Sequence, residues 1–164
     1  SGCNTDMTRR YAYSLGGSRA VDSAPLSKPK STTILSSIRL DGTLRYTTFS
    51  GGTTVERFKR YLETDLLPHL NGNSVLIMDD MKSHHAKAVR NLLDSSGVRY
   101  IYLPPYSPDL NPIEKLWSKV KSFLRKFKAR TLDALPNAIQ CAFQTVSPSD
   151  CSGWFHSCGY SPYF

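Results

Sequence analysis

Three acidic residues, two of them adjacent and one further along the chain, have the chemistry and the spacing to hold a divalent metal ion. Asp79 and Asp80 directly follow a short apolar run, and the 34 residues from 80 to 113 separate Asp79 from Glu114. Carboxylate oxygens are the hard ligands that Mg²⁺ and Mn²⁺ prefer, and these ions commonly keep waters and substrate phosphate in their other positions. The three acids therefore indicate metal-dependent chemistry at phosphate groups.

Asp79 and Asp80 stand at the carboxyl end of a predicted strand, Ser74 to Met78, where open α/β sheets place their sites. Adjacent strand residues face opposite ways, so only one of the two acids can point into a given crevice. The other can bond locally or face solvent. An acid at such a turn also commonly caps the next helix, which the sequence predicts to begin near Ser83.

Glu114 lies at the start of a helix predicted from Pro112 to about Lys128, directly after a proline-rich segment. Asn111 is a suitable N-cap and Pro112 a suitable first residue, so Glu114 at the third position could complete a capping box. Capping and metal binding are therefore both open for Glu114. Prolines fix φ and stiffen the connection that delivers this helix. The segment contains Pro104, Pro105, Pro108 and Pro112.

Basic residues follow Glu114 closely, and the chain has a formal net charge of +8. Between positions 115 and 130 there are seven basic residues and no acid. Such a surplus favours a polyanion, above all nucleic acid, although a solvated helix face is the alternative. The seven residues are Lys115, Lys119, Lys121, Arg125, Lys126, Lys128 and Arg130.

The elements that must position these residues alternate between strands and helices. A short strand and a loop are expected in residues 1 to 30, and a hairpin turning at Asp41-Gly42 is expected after them. The pattern predicts a mixed α/β sheet covered by helices. The predicted strands are Thr32 to Leu40, Leu44 to Phe49, Ser74 to Met78 (buried on both faces) and Val98 to Leu103; the helices run from Thr53 or Thr54 to before Pro68, His85 to Leu93 with closure near Gly97, Pro112 to Lys128, and Leu132 to Val146.

The helix from Pro112 is amphipathic. Its apolar residues recur at helical spacing and form one stripe, with lysines and a serine away from it. The stripe consists of Ile113, Leu116, Trp117, Val120, Phe123, Leu124 and Phe127.

The composition argues against a membrane protein and a disulfide-rich protein. The longest aliphatic run, Val75 to Met78, is far shorter than the roughly 20 residues that span a bilayer, and no charged-then-apolar leader opens the chain. The 4 cysteines show no C-x-x-C pair, so reduced thiols in the cytosol are expected. The 164 residues fit one domain, with no membrane as partner.

Two segments carry a family resemblance. VLIMDDMKSHH (75 to 85) and YLPPYSPDLNPIEKLW (102 to 117) closely resemble the last two blocks of the DDE transposase domain of the mariner superfamily, in particular its bacterial insertion-sequence branch. The interval between Asp79 and Glu114 is the one that family keeps between its second and third metal-binding acids. Weaker matches cover residues 1 to 11, 33 to 42 and 58 to 70. The resemblance implies an RNase H-like fold.

Carried over to this chain, the resemblance makes Asp79 and Glu114 the catalytic residues and ligands of Mg²⁺ or Mn²⁺. Asp80 stands where the family commonly has Asn, and His84 where it often has His, so both are accessory positions; helix-start packing or a phosphate contact is the alternative role of His84. The basic residues would bind the DNA backbone. Those predicted to do so are Lys115, Lys119, Lys121, Arg125 and Lys126.

The first acid of the family has no counterpart in this sequence. It belongs to an Asp-Glu pair directly before a Ser/Thr-Gly step, and that step here is Ser1-Gly2. Asp6 and Asp22 are the nearest substitutes, but neither follows an apolar strand. We therefore expect residues 1 to 164 to be a single RNase H-like domain that lacks its first strand with the first catalytic Asp, and to be inactive alone.

The expected activity of the parent protein is metal-dependent cleavage and strand transfer at transposon ends, in the cytoplasm at the nucleoid if it is bacterial. DNA is the expected partner, and a homodimer is compatible with the sequence. Two alternatives stay open: a non-enzymatic remnant that binds nucleic acid, and a metal-dependent nuclease without strand transfer. The aromatic residues after position 153 are expected to pack onto the body or onto a second copy. They are Trp154, Phe155, Tyr160, Tyr163 and Phe164.

Overall fold

A computed structural model of the chain describes residues 1–4, 7, 16, 21, 31–131 and 133–160. Most of the loop predicted before residue 31 lies outside this part of the chain, as do Asp6, Asp22, Tyr163 and Phe164. No helix in the described part is long and apolar enough to cross a membrane.

The described part contains five strands and five α-helices, which we number in chain order. They are β1 (Gly2–Asn4), β2 (Ser31–Ile38), β3 (Leu44–Ser50), α1 (Val55–Tyr61), β4 (Val75–Met78), α2 (Lys87–Ser96), β5 (Arg99–Tyr102), α3 (Ile113–Phe127), α4 (Ala134–Gln144) and α5 (Pro148–Ser157).

The predicted hairpin is confirmed. β2 and β3 pair antiparallel, with Ile38 opposite Leu44 at the closed end. Gly42 has a φ of 92°, which favours glycine, and the Asp41 carboxylate accepts a hydrogen bond of 2.8 Å from the Thr43 amide. β1 adds a third antiparallel strand on the other side of β2.

β4 and β5 pair in parallel and form a sheet of their own, joined by α2. The chain after β4 first makes a short 3₁₀ turn, Lys82–His85, so α2 begins slightly later than predicted. Gly97, with a φ of 73°, ends α2 where the sequence predicted its closure.

The prediction that β4 is buried on both faces is wrong. The side chain of Met78 is buried, whereas Val75 is 46% exposed. Within the described residues the strands form two sheets, and the edge of β4 opposite β5 borders a cavity instead of another strand. An edge strand beside open space cannot bury all its side chains.

Helix α1 begins as predicted, because Thr54 caps it by accepting a 3.2 Å hydrogen bond from the Arg57 amide. The predicted end before Pro68 is confirmed for the α-helix, which ends at Tyr61. A π-helical turn, Leu62–Leu66, and a 3₁₀ turn, Leu67–His69, continue the winding through Pro68. A proline fits there because the first residues of a helical turn need no backbone donor.

Two hydrophobic clusters hold these elements. Phe58 and Leu62 pack against Met78, Val89 and Leu93 in one cluster, which joins α1, α2 and β4. The other cluster joins β1 and β2 to α3 and α4, and its members are Cys3, Ile34, Leu116, Val120, Leu124, Ala129, Leu135, Ala138, Ile139, Ala142 and Phe143. The prediction of α3 is confirmed within one residue at each end, and α4 is shorter than predicted.

Helix α5 was not predicted, although the sequence carries a signal for it. Ser147 accepts a 3.0 Å hydrogen bond from the Asp150 amide, and the Asp150 carboxylate accepts one of 3.0 Å from the Ser147 amide. This reciprocal pair is a capping box, followed by a proline at the first position of the helix. Trp154 packs against the α3–α4 cluster, and the Tyr160 hydroxyl donates to the Leu110 carbonyl at 2.8 Å, so the tail packs onto the body.

Ser147→Ala should destabilise the protein by about 0.5–2 kcal/mol, the usual cost of losing an N-cap oxygen. Ser149→Ala is the matched control, because Ser149 is exposed inside the same helix. Urea unfolding followed by circular dichroism measures both. Equal stabilities of the two variants would contradict the role of the cap.

Candidate metal and DNA site

Asp79 and Glu114 line the same cavity, which has a volume of about 630 Å³. Its walls include β2, β4 and the start of α3, and Asp80 is not among its lining residues. Side chains alternate in direction at the end of β4, so Asp79 reaches the cavity and Asp80 does not. The sequence predicted that only one of the two acids would point into it.

Asp79 is held by local hydrogen bonds. Its Oδ1 lies 2.7 Å from His84 Nδ1 and accepts a 3.2 Å hydrogen bond from the Met81 amide. The hydrogen bond with His84 is the main cause of a lowered pKa of Asp79, against the opposing effect of burial. The carboxylate, 49% exposed, therefore carries its negative charge at neutral pH.

Asp80 makes a separate set of contacts. Its Oδ1 lies 2.5 Å from His85 Nε2, and the His85 ring stacks on Tyr102 with centroids 4.0 Å apart. Neither acid caps the 3₁₀ turn Lys82–His85 or α2, because the residues before these two elements are Met81 and Ala86, and neither provides a side-chain cap. The capping alternative for these two acids is therefore wrong.

The capping box predicted at Asn111 and Glu114 is also wrong. The Asn111 amide, which a capping Glu114 would have to bind, already donates to the Pro108 carbonyl at 3.1 Å. The 3₁₀ turn Pro108–Leu110 makes this bond, and α3 then begins after Pro112 without a side-chain cap. The Glu114 side chain is exposed on the cavity and is not used as a cap.

The proline-rich segment is attached close to Asp79. The Leu103 amide donates to the Met78 carbonyl at 2.7 Å, so the segment leaves the sheet beside the residue that precedes Asp79. It then passes through the 3₁₀ turn and reaches Glu114. Tyr106 in this segment is fully exposed and has a φ of 56°, which is uncommon for a residue with a side chain.

The beginning of β1 lies near both acids of the cavity. The Ser1 ammonium donates to the Ile34 carbonyl at 2.8 Å. Burial lowers its pKa, and Lys121 lowers it further, while Glu114 and Asp79 raise it. Both carboxylates are therefore close enough to Ser1 to act on it electrostatically.

The predicted DNA-binding residues do not share one face of α3. Lys115, Lys119 and Lys126 line a second groove, formed with α5, in which Lys119 forms an ion pair with Asp150. Lys121 acts electrostatically on Ser1 and Cys3 and so lies on the cavity side. The helical repeat explains the division: residues 115, 119 and 126 recur along one side, and residues 114, 121 and 125 along another. Arg125 is partly buried.

The donor chemistry of the cavity suits Mg²⁺ or Mn²⁺, but the number of donors is small. Within the described residues there is no group of three or more His, Cys, Asp or Glu arranged to hold a metal ion. Two carboxylates can hold one hard cation with water in its other positions. They fall short of what a pair of ions requires.

Known proteins are similar to this chain in sequence and in fold. The family described as DDE superfamily endonuclease matches residues 1–136. The chain is 28% identical over 97 residues to the transposable element Tc1 transposase of Caenorhabditis elegans, which is 57% of this chain and 36% of that protein. The structure of this chain is similar to a Mos1 transposase paired-end complex with left transposon end. The TM-score is 0.78 and the identity 18%, over 96% of this chain and 50% of that chain.

It is also similar to the Mos1 mariner paired end complex with Mn, with a TM-score of 0.72 and 19% identity over 96% of this chain and 51% of that chain. This chain spans about half the length of these solved chains and about a third of the Tc1 protein.

The chain belongs to the DDE superfamily endonuclease family. Its fold is the RNase H-like fold of the Mos1 transposase catalytic domain, so the predicted resemblance to the mariner superfamily and the predicted fold class are confirmed. The bacterial branch stays a prediction.

Asp79→Asn should make the free energy of unfolding less dependent on pH in the acidic range, measured in a chelating buffer. The lowered pKa of Asp79 means that its carboxylate stabilises the fold above its unfolded pKa of about 4. That contribution is lost as the pH falls through the lower folded pKa. Urea unfolding at a series of pH values should show the wild-type chain losing more stability than the variant, and parallel curves would contradict the effect.

Proposed function

We propose that this chain is a catalytic-domain portion of a DDE transposase that cuts and joins DNA with the help of divalent cations. The observation that carries the proposal is that Asp79, from the end of β4, and Glu114, from the start of α3, line one cavity. Membership of the DDE endonuclease family supports the reaction class.

Asp79 and Glu114 are the residues that would hold Mg²⁺ or Mn²⁺. Bound there, such an ion supplies activation of the attacking oxygen and stabilisation of the leaving oxygen in phosphoryl transfer. The role of the two side chains is to fix the position of the ion beside the sheet. The chain is similar in structure to the Mos1 mariner paired end complex with Mn, and this similarity supports the choice of cation.

A third carboxylate would come from a strand that continues β1 upstream of Ser1 in the complete protein. β2 pairs with β1 through residues 31 to 33, and Ser1 bonds to Ile34, but no described strand covers the same edge of β2 beyond that point. β4 has its unpaired edge on the same cavity. An extended segment there could pair with both edges and would pass close to Asp79 and Glu114.

DNA is the proposed substrate, held through its phosphate backbone. Lys121 lies on the cavity side, and Lys115 and Lys126 line the neighbouring groove, so the lysines of α3 could contact phosphates on both sides of Glu114. Such contacts position DNA without reading its sequence. Because a similar Mos1 structure is a paired-end complex, we include a second copy of the chain in the proposal. If the protein is bacterial, it would act at the nucleoid.

One alternative is a remnant that binds nucleic acid without catalysis, because the lysines of α3 would serve such a function equally well. The two functions differ in their need for a cation. A transposase portion should bind Mn²⁺ through its acids, whereas a remnant needs only its lysines.

Asp79→Asn and Glu114→Gln should each weaken Mn²⁺ binding by tenfold or more, because each removes one of the two carboxylates that line the described part of the cavity. Asp109→Asn is the matched control, since this exposed acid of the proline-rich segment does not line the cavity. Electron paramagnetic resonance of free Mn²⁺ measures the affinities. A wild-type chain that binds no Mn²⁺, or binds it equally well in all variants, would favour the remnant.

Duplex DNA binding should weaken steeply with salt, with a log–log slope of about −0.9 for each phosphate neutralised. Lys115→Gln and Lys126→Gln should each reduce the slope by about 1. Lys59→Gln is the control, because Lys59 lies on α1 and forms an ion pair with Glu63. Fluorescence anisotropy at several salt concentrations tests this, and a flat salt response would exclude α3 as a DNA surface.

A further inference from the structure

Two aspartate–histidine pairs stand side by side after β4, each spanning five positions. His84 Nδ1 lies 2.7 Å from Asp79 Oδ1, and His85 Nε2 lies 2.5 Å from Asp80 Oδ1. The two histidines thus use different ring nitrogens towards two adjacent carboxylates.

The contacts of His84 fix where its proton resides. Besides Asp79 Oδ1, its Nδ1 lies 3.3 Å from the Asp79 backbone carbonyl oxygen. Both neighbours are acceptors, so an unprotonated Nδ1 would place its lone pair against two oxygens. Nδ1 must carry hydrogen and donate to Asp79.

The contacts of His85 require the opposite tautomer. Its Nδ1 lies 3.0 Å from Arg90 Nη2, and an arginine guanidinium can only donate. Nδ1 of His85 therefore accepts, and its hydrogen lies on Nε2, which donates to Asp80. Arg90, Tyr102 and Asp80 surround this ring on three sides.

Aromatic packing holds both rings in place. His84, only 13% exposed, stacks on Phe58 with centroids 4.2 Å apart, and its backbone carbonyl accepts a 2.7 Å hydrogen bond from the Tyr102 hydroxyl. Tyr102 itself stacks on His85. One tyrosine of β5 thus fixes both histidines.

We propose that His84 is a positioning residue that orients the Asp79 carboxylate for the cation, while His85 and Arg90 hold the neighbouring Asp80 away from it. Within the described residues the hydrogen bonds to the Asp79 side chain end on Oδ1, which leaves Oδ2 as the oxygen offered to a ligand in the cavity. Partners of this kind fix the orientation of a metal-binding side chain. The inference rests on the proposed cation-binding role of Asp79.

The tautomers can be measured without any metal. Nitrogen-15 NMR of the imidazole rings in the chelator-treated chain at pH 7.5 should show His84 protonated on Nδ1 and His85 protonated on Nε2. Asp79→Asn should change the His84 signals much more than those of His85. The same tautomer in both rings would overturn the proposal.

The second measurement is Mn²⁺ affinity. His84→Phe keeps an aromatic ring against Phe58 but has no donor, so its affinity should fall about 10-fold or more, as when such a partner is lost at a metal site. His84→Asn places an amide nitrogen near the lost Nδ1 and should retain most of the affinity. Asp80→Asn should leave the affinity unchanged.

His156→Phe is the matched control for a histidine-to-phenylalanine change, because His156 is an exposed residue of α5. Wild-type affinity in His84→Phe, or a loss in His84→Asn as large as in His84→Phe, would overturn the positioning role. The wild-type chain could bind no Mn²⁺ while the two rings show opposite tautomers. That result would contradict the proposed function. It would still support the two hydrogen-bonded pairs, Asp79–His84 and Asp80–His85, that hold the two carboxylates apart.

Discussion

The hydrogen bond from the Leu103 amide to the Met78 carbonyl ties the two halves of the candidate site together. It joins the end of β5 to the end of β4, one residue before Asp79. The proline-rich segment therefore starts at a fixed point beside Asp79, and its prolines limit the directions it can take. Since the 3₁₀ turn at its far end leads directly into α3, the position of Glu114 relative to Asp79 follows from this short path.

The roll of α3 about its own axis then decides which side chains face the cavity. Leu116, Val120 and Leu124 are fully or almost fully buried in the α3–α4 cluster, so the helix cannot rotate without exposing them. With these residues inward, Glu114 and Lys121 lie towards the cavity and Lys115 lies towards α5. Packing in the core thereby decides which side of α3 carries the acid proposed to bind the cation and which sides carry the lysines proposed to bind DNA.

Local signals in the sequence predicted much of this structure. Asp41-Gly42 indicated the hairpin, helical periodicity indicated α3, and the acids after an apolar run indicated the candidate site. Predictions that depended on competition between partners were wrong: the Asn111 amide binds Pro108, so Glu114 cannot cap. The basic residues that follow Glu114 lie on more than one side of α3, because a run of charges in sequence is spread around a helix in space.

Features that depend on tertiary neighbours could not be predicted. The sequence placed His84 near Asp79, but the stacking on Phe58 and the bond to Tyr102 come from elements distant in the chain. The exposure of β4 likewise depends on which strand lies beside it. Helix α5 is different, since the Ser147–Asp150 capping box at its start is a local signal that the sequence itself contains.

The most direct test of the account is a crystal structure of this chain soaked in Mn²⁺, with the ion located by its anomalous scattering. The account predicts one strong peak within bonding distance of the Asp79 and Glu114 carboxylates, with Asp80 still bound to His85. A peak elsewhere, or two carboxylates too far apart to share an ion, would contradict it.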